Sequence, residues 1–91
     1  MNNDIFKAVD DNDLAKVKKC IEQHTTDVNT KDKYGWTPLY TASYYGRFEI
    51  VKYLVEHGAD INAKDNDGET PLAKRRHDDI DEYLKSKGGI Y

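Results

Sequence analysis

A stretch of eight residues returns 33 positions later. Asp32-Lys33-Tyr34-Gly35-Trp36-Thr37-Pro38-Leu39 recurs as Asp65-Asn66-Asp67-Gly68-Glu69-Thr70-Pro71-Leu72. Val28-Asn29-Thr30-Lys31 recurs as Ile61-Asn62-Ala63-Lys64 on the same period. Two separate stretches at one spacing mark an internal repeat, and such units stack because none can bury its apolar face alone. Stacking matters in a chain of 91 residues. A chain of this size buries only roughly 60–65% of its unfolded surface, so each apolar face must be used efficiently.

The residues of the repeat specify their local structure. Gly35 and Gly68 end four-residue turns, where a positive φ costs a glycine little. Thr37 and Thr70 stand where a hydroxyl caps a helix, and Pro38 and Pro71 follow at the first helical position, where a missing N–H is harmless. Each turn therefore feeds a helix. Ile50, Val51, Leu54 and Val55 recur at helical spacing and stop at Gly58, a C-terminal signal. Leu14, Val17 and Ile21 form the same stripe earlier, in a helix expected from about Asp13 to Gln23. Ile80, Tyr83 and Leu84 form it later, closed by Gly88-Gly89. A helix starting near Asp4, capped by Asp4 or Asn3, would bury Ile5, Ala8 and Val9. The pattern predicts six short helices in antiparallel pairs and no substantial sheet.

The Asp-x-x-Gly-x-Thr-Pro-Leu signature, the Gly58-Ala59-Asp60-Ile61-Asn62 loop and the period resemble ankyrin repeats. The resemblance covers nearly the whole chain. It implies an all-α solenoid of helix–turn–helix repeats with short β-turn fingers. The expected units are an N-terminal capping repeat (1–31), a full repeat (32–64) and a shortened C-terminal repeat (65–91). Two departures stand out. The family usually has His after Thr-Pro-Leu, bracing the turn; here Tyr40 and Ala73 occupy that place, so the bracing bond is absent or replaced. Three residues are also missing between Leu72 and Ile80, and Arg75 and Arg76 stand where small apolar residues are needed. A shortened helix is the first expectation there, a merged or outward-turned one the alternatives.

Catalytic and metal chemistry find no support. His24, His57 and His77 are scattered, with no Cys or second His at ligand spacing. His57, at a helix C-terminus, suits the helix dipole. Asp10, Asp11 and Asp13 lack the glycine and distal glutamate of a calcium loop and read as a solvated turn. The lone Cys20 reads as a small buried hydrophobe in a reducing compartment. No nucleophile and base pair up. Neither an enzyme, a metal nor a cofactor is expected. With 14 Lys+Arg against 17 Asp+Glu the net charge is −3, which gives no electrostatic case for nucleic acid. The basic run Lys74-Arg75-Arg76-His77 is followed at once by Asp78 and Asp79 and reads as a solvated end face. Neither a signal peptide nor a membrane span is expected, and the cytoplasm is the expected location.

The surplus is aromatic. Tyr34 and Trp36 flank Gly35, and Tyr44 and Tyr45 end the inner helix, whose stripe Leu39, Ala42 and Ser43 already fill. The family resemblance implies that fingers and inner-helix ends line one concave face. Tyr and Trp bring large contact area at low entropy cost, as binding hot spots require. The alternative is that Tyr44 or Tyr45 plugs gaps between units. The expected function is protein–protein interaction by rigid docking, through Lys33, Tyr34, Trp36, Tyr44 and Tyr45. Asp10 and Asp11 extend the face on one side, and Asn66, Asp67 and Glu69 on the other. Acids around aromatics suggest a partner with a basic rim. Trp36, in an exposed finger, is expected to be dispensable for folding. A monomer is expected. The alternatives are a homodimer built on the same face and a nucleic-acid or phospho-ligand binder using Arg75 and Arg76.

Overall fold

The computed structural model describes residues 4–23, 27–74 and 77–90. Five α-helices and one 310 helix follow in order: α1 (Asp4–Asp10), α2 (Leu14–Glu22), α3 (Pro38–Tyr45), α4 (Phe48–Glu56), the 310 helix (Pro71–Lys74) and α5 (Asp78–Ser86). No strand occurs among the described residues. The sixth expected helix is the 310 turn, the shortened form foreseen for the last unit. Arg75 and Arg76, His24 and the Asn3 cap lie outside the described residues.

The capping chemistry operates where the sequence places it. Asp13 accepts from the Lys16 N–H at the start of α2, and Thr37 accepts from the Tyr40 N–H at the start of α3, with Pro38 next. Thr70 differs: its hydroxyl donates to the Ile90 carbonyl at 2.6 Å, tying the C-terminal loop to the start of the 310 helix.

Helix α3 is the centre of the molecule. It packs on α1, on α4 and on the 310 helix. Six of its eight residues, Pro38 to Ser43, are buried. A helix covered on three sides needs small residues, and Ala42 and Ser43 supply them; the Ser43 hydroxyl is satisfied by the Leu39 carbonyl at 2.9 Å. Val17, Ile50, Val51, Leu54, Ile80 and Leu84 complete the core from the outer helices, and Cys20 is buried among the hydrophobic residues. This apolar burial, at roughly 25 cal/mol per Å², is the main force holding the stack.

Polar ties repeat from one unit to the next. Asn29 donates to the Gly58 carbonyl and accepts from the Asp60 N–H; Asn62 donates to the Gly88 carbonyl and accepts from the Ile90 N–H. Arg47 closes the C-terminus of α1, with Nη2 2.7 Å from the Asp10 carbonyl and Nε 3.3 Å from that of Val9. His77 does the same for α3, its Nε2 lying 3.2 Å from the Tyr44 carbonyl. It packs against Gly46, whose φ of +77° suits glycine and where a Cβ would stand 2.8 Å from the His77 ring. His57 is likewise structural: its Nδ1 is 2.8 Å from the Tyr53 carbonyl and its ring stacks on Tyr53.

Candidate functional site

Each finger is built around one aspartate. Asp32 Oδ1 accepts from the N–H groups of Tyr34 and Trp36, and the finger closes with an Asp32 N–H to Trp36 carbonyl bond. Asp65 repeats the pattern with Asp67 and Glu69. The two fingers are joined by Asn66, whose N–H donates to the Tyr34 carbonyl and whose Nδ2 donates to the Lys33 carbonyl, both at 3.0 Å. Gly35 makes this possible. Its φ is +79°, and a Cβ there would lie 2.5 Å from Asn66 Oδ1 and 2.7 Å from the Asn66 nitrogen.

Tyr40 replaces the bracing histidine expected of the family. Its hydroxyl crosses to the next finger and donates to Asp65 Oδ2 at 2.9 Å, in a buried position. Burial, then the bond to Asp65, then the negative charges of Asp65, Glu69 and Asp67 push the Tyr40 phenol well above its ordinary range. Burial also raises Tyr53 and Tyr83, with Glu22 and Glu56 adding to the respective shifts.

The aromatics divide into two kinds. Tyr34 and Tyr45 are exposed, at 57% and 45%. Trp36 is half-buried, which corrects the expectation of a freely exposed side chain. Its ring centroid lies 4.6 Å from that of Tyr40, 5.1 Å from Tyr44 and 6.4 Å from Tyr34. The reason is Tyr40: the large ring in place of histidine gives Trp36 an aromatic wall to lie on. Tyr44 is half-buried between Trp36 and an edge-on Tyr45, at 5.1 Å from each.

A groove of about 750 Å³ opens between α1 and the fingers. It brings together Tyr34, Trp36, Tyr45, Asn66 and Asp67 from the expected face, with Asp10 on the far side. Phe6, Lys7, Asp32 and Thr41 also line it, and the sequence reading did not single these out. Phe6 follows the buried Ile5 as Tyr40 follows Leu39, so a register comparison of the two inner helices was the available signal. Lys33, Tyr44 and Glu69 do not line the groove; the Lys33 ammonium sits 5.2 Å over the Tyr34 ring. Lys7 is paired with Asp11 at 3.1 Å. The carboxylates of Asp65, Asp67 and Glu69 gather within 4.8 Å of one another. The two oxygens of Asp65 are committed to the finger and to Tyr40, which gives this cluster a role in the turn.

A family model for ankyrin repeats in many copies matches residues 21–74. The chain belongs to the ankyrin-repeat family. Ankyrin repeats are non-enzymatic modules that mediate protein–protein interaction. Part of this ankyrin-repeat chain is similar to alpha-latrocrustotoxin-Lt1a of Latrodectus tredecimguttatus, with 46% identity over 39 residues, 43% of the chain and 3% of that protein. Another similarity is to Protein VAPYRIN-LIKE of Medicago truncatula, with 42% identity over 48 residues, 53% of the chain and 10% of that protein. The matches thus span a tenth or less of these relatives' own length. No helix among the described residues is long and apolar enough to cross a membrane.

Proposed function

We propose that the chain is a non-catalytic, monomeric docking module of the cytoplasm that binds a partner protein in the groove between α1 and the fingers. The observation that carries this is the pair of exposed tyrosines, Tyr34 and Tyr45, in a groove that also holds the edge of Trp36. Neither tyrosine is in the core, and with Trp36 they form one aromatic patch along the groove, the kind of surface that marks an interaction site. Both are large, stiff and amphipathic, the chemistry of an interface anchor.

Roles within the proposed face differ. Tyr34 and Tyr45 are its primary contacts, Trp36 a wall of the groove, and Tyr44 the support behind Tyr45. Lys33, Asp67 and Glu69 form a polar rim, and Asn66 contributes while holding the fingers together. Acidic groups around the aromatics suit a partner with basic residues at its rim. Helix α3 and the finger bonds fix the groove in advance, so docking is rigid.

The test is affinity capture followed by mass spectrometry, comparing the full chain with a Tyr34→Ala/Tyr45→Ala double variant and with Lys85→Ala on the exposed side of α5. The proposal expects a set of captured proteins that the double variant loses and Lys85→Ala retains, at equal melting temperatures. Capture that survives the loss of both tyrosines would move the site elsewhere.

A further inference from the structure

The groove combines three features that a generic hydrophobic partner would not use together. Its walls are flat aromatic rings, among them Tyr34 and Trp36. Its lining is negative on balance: Asp10, Asp32 and Asp67 stand against Lys7, which pairs with Asp11 at 3.1 Å on the exposed surface, and Lys33, outside the lining, covers one face of the Tyr34 ring. At its base lies Thr41, only 7% exposed, whose buried hydroxyl has no hydrogen-bond partner among the described residues.

From these we infer that the groove receives an arginine side chain projecting from an extended segment of the partner. This inference rests on the docking reading above and names the chemistry of its ligand. A guanidinium is planar, so it stacks on aromatic faces, and it is weakly hydrated, so it enters a partly desolvated groove at lower cost than an ammonium. It carries five N–H donors and no acceptor, which matches a set of carboxylates and a hydroxyl able to accept. A trimethylated lysine would use the rings and, having no N–H, leave the carboxylates and Thr41 without a donor. An apolar side chain would leave the acids desolvated and unpaired, which is strongly unfavourable. The volume of about 750 Å³ exceeds one side chain and leaves room for flanking backbone; pockets of roughly 300–1,000 Å³ hold ligands larger than a single residue.

A displayed library of random short peptides, selected on the full chain, tests this. Binding is then followed by the fluorescence of Trp36, the one tryptophan of the sequence. The expected result is a shared arginine in the selected peptides. Exchanging it for citrulline, its neutral isostere, should weaken binding about tenfold or more. Asp10→Asn/Asp67→Asn should weaken the arginine peptide and leave the citrulline peptide unchanged, a coupling that a merely structural effect would not produce. Thr41→Val should weaken the arginine peptide at an undiminished melting temperature. Peptides that need Tyr34 and Tyr45 but carry no shared arginine, or that tolerate citrulline, overturn the arginine inference and leave the docking reading standing. Selected peptides indifferent to Tyr34→Ala/Tyr45→Ala overturn both.

Discussion

Tyr40 stands where the family has histidine, and its buried bond to Asp65 joins the central inner helix to the next finger. Removing the hydroxyl with Tyr40→Phe leaves Asp65 short of a donor and should cost about 1.5–3 kcal/mol, the range for hydrogen bonds to charged groups; chemical denaturation measures it. The raised Tyr40 pKa has a pH consequence. A phenol raised on folding adds stability in its neutral form, present below the unfolded value and lost as pH climbs toward the folded one. The melting temperature should therefore fall above about pH 10, the unperturbed tyrosine value. Tyr40→Phe should flatten part of that fall, the remainder belonging to Tyr53 and Tyr83, which shift in the same direction. Trp36 illustrates what spacing alone conceals. Its place in a turn reads as exposed, yet it lies on Tyr40 and Tyr44. Trp36→Ala should therefore destabilise the fold by about 1–3 kcal/mol, the scale of ordinary packing losses, and a loss of binding in that variant is ambiguous. Tyr34 and Tyr45, both exposed, are the cleaner probes.

At the scale of elements, the helices and fingers were legible because their signals are local: Thr-Pro starts, glycine turns, and apolar stripes of period 3.6. What lies between elements was less so. The Asn29 and Asn62 ties, the Arg47 and His77 caps, and the diversion of the Thr70 hydroxyl to Ile90 join residues 20 to 38 positions apart. No single stretch of sequence displays them, although the 33-residue spacing of Asn29 and Asn62 is itself a trace. The groove shows the same division. Its finger residues were readable from a repeat, whereas Phe6, Lys7 and Thr41 enter because α1 and α3 pack side by side. Asn62→Ala should loosen the C-terminal loop, since the Gly88 carbonyl and the Ile90 N–H lose their partner while the Thr70 bond to the Ile90 carbonyl remains. Hydrogen exchange should accelerate at Ile90 while the amides of α3 keep their protection.

Among the described residues the helices meet in few interfaces, and α3 takes part in the three most extensive of those that join one unit to the next or the two helices of the central unit, with α1, α4 and the 310 helix. Stacked units of this kind are stable only through their neighbours. A single cooperative unfolding transition is expected, and a fragment ending before Asp65 should be largely unfolded, having lost the Tyr40 acceptor and the elements that cover α3 and α4. A cooperatively melting 1–64 fragment would show that the last elements are dispensable. The same rigidity is what presents the groove ready-made, with its tyrosines exposed and its supporting bonds satisfied from behind. That presentation is tested most directly by nuclear magnetic resonance on the isotope-labelled full chain, titrated with a peptide or protein that it binds. The account predicts that amide shifts cluster on Phe6, Lys7, Tyr34, Thr41, Tyr45 and Asp67, together with the Trp36 indole N–H. It also predicts that the outer helices at Tyr53, Tyr83 and Lys85 stay silent. Shifts confined to those outer helices, with the groove unmoved, would contradict it.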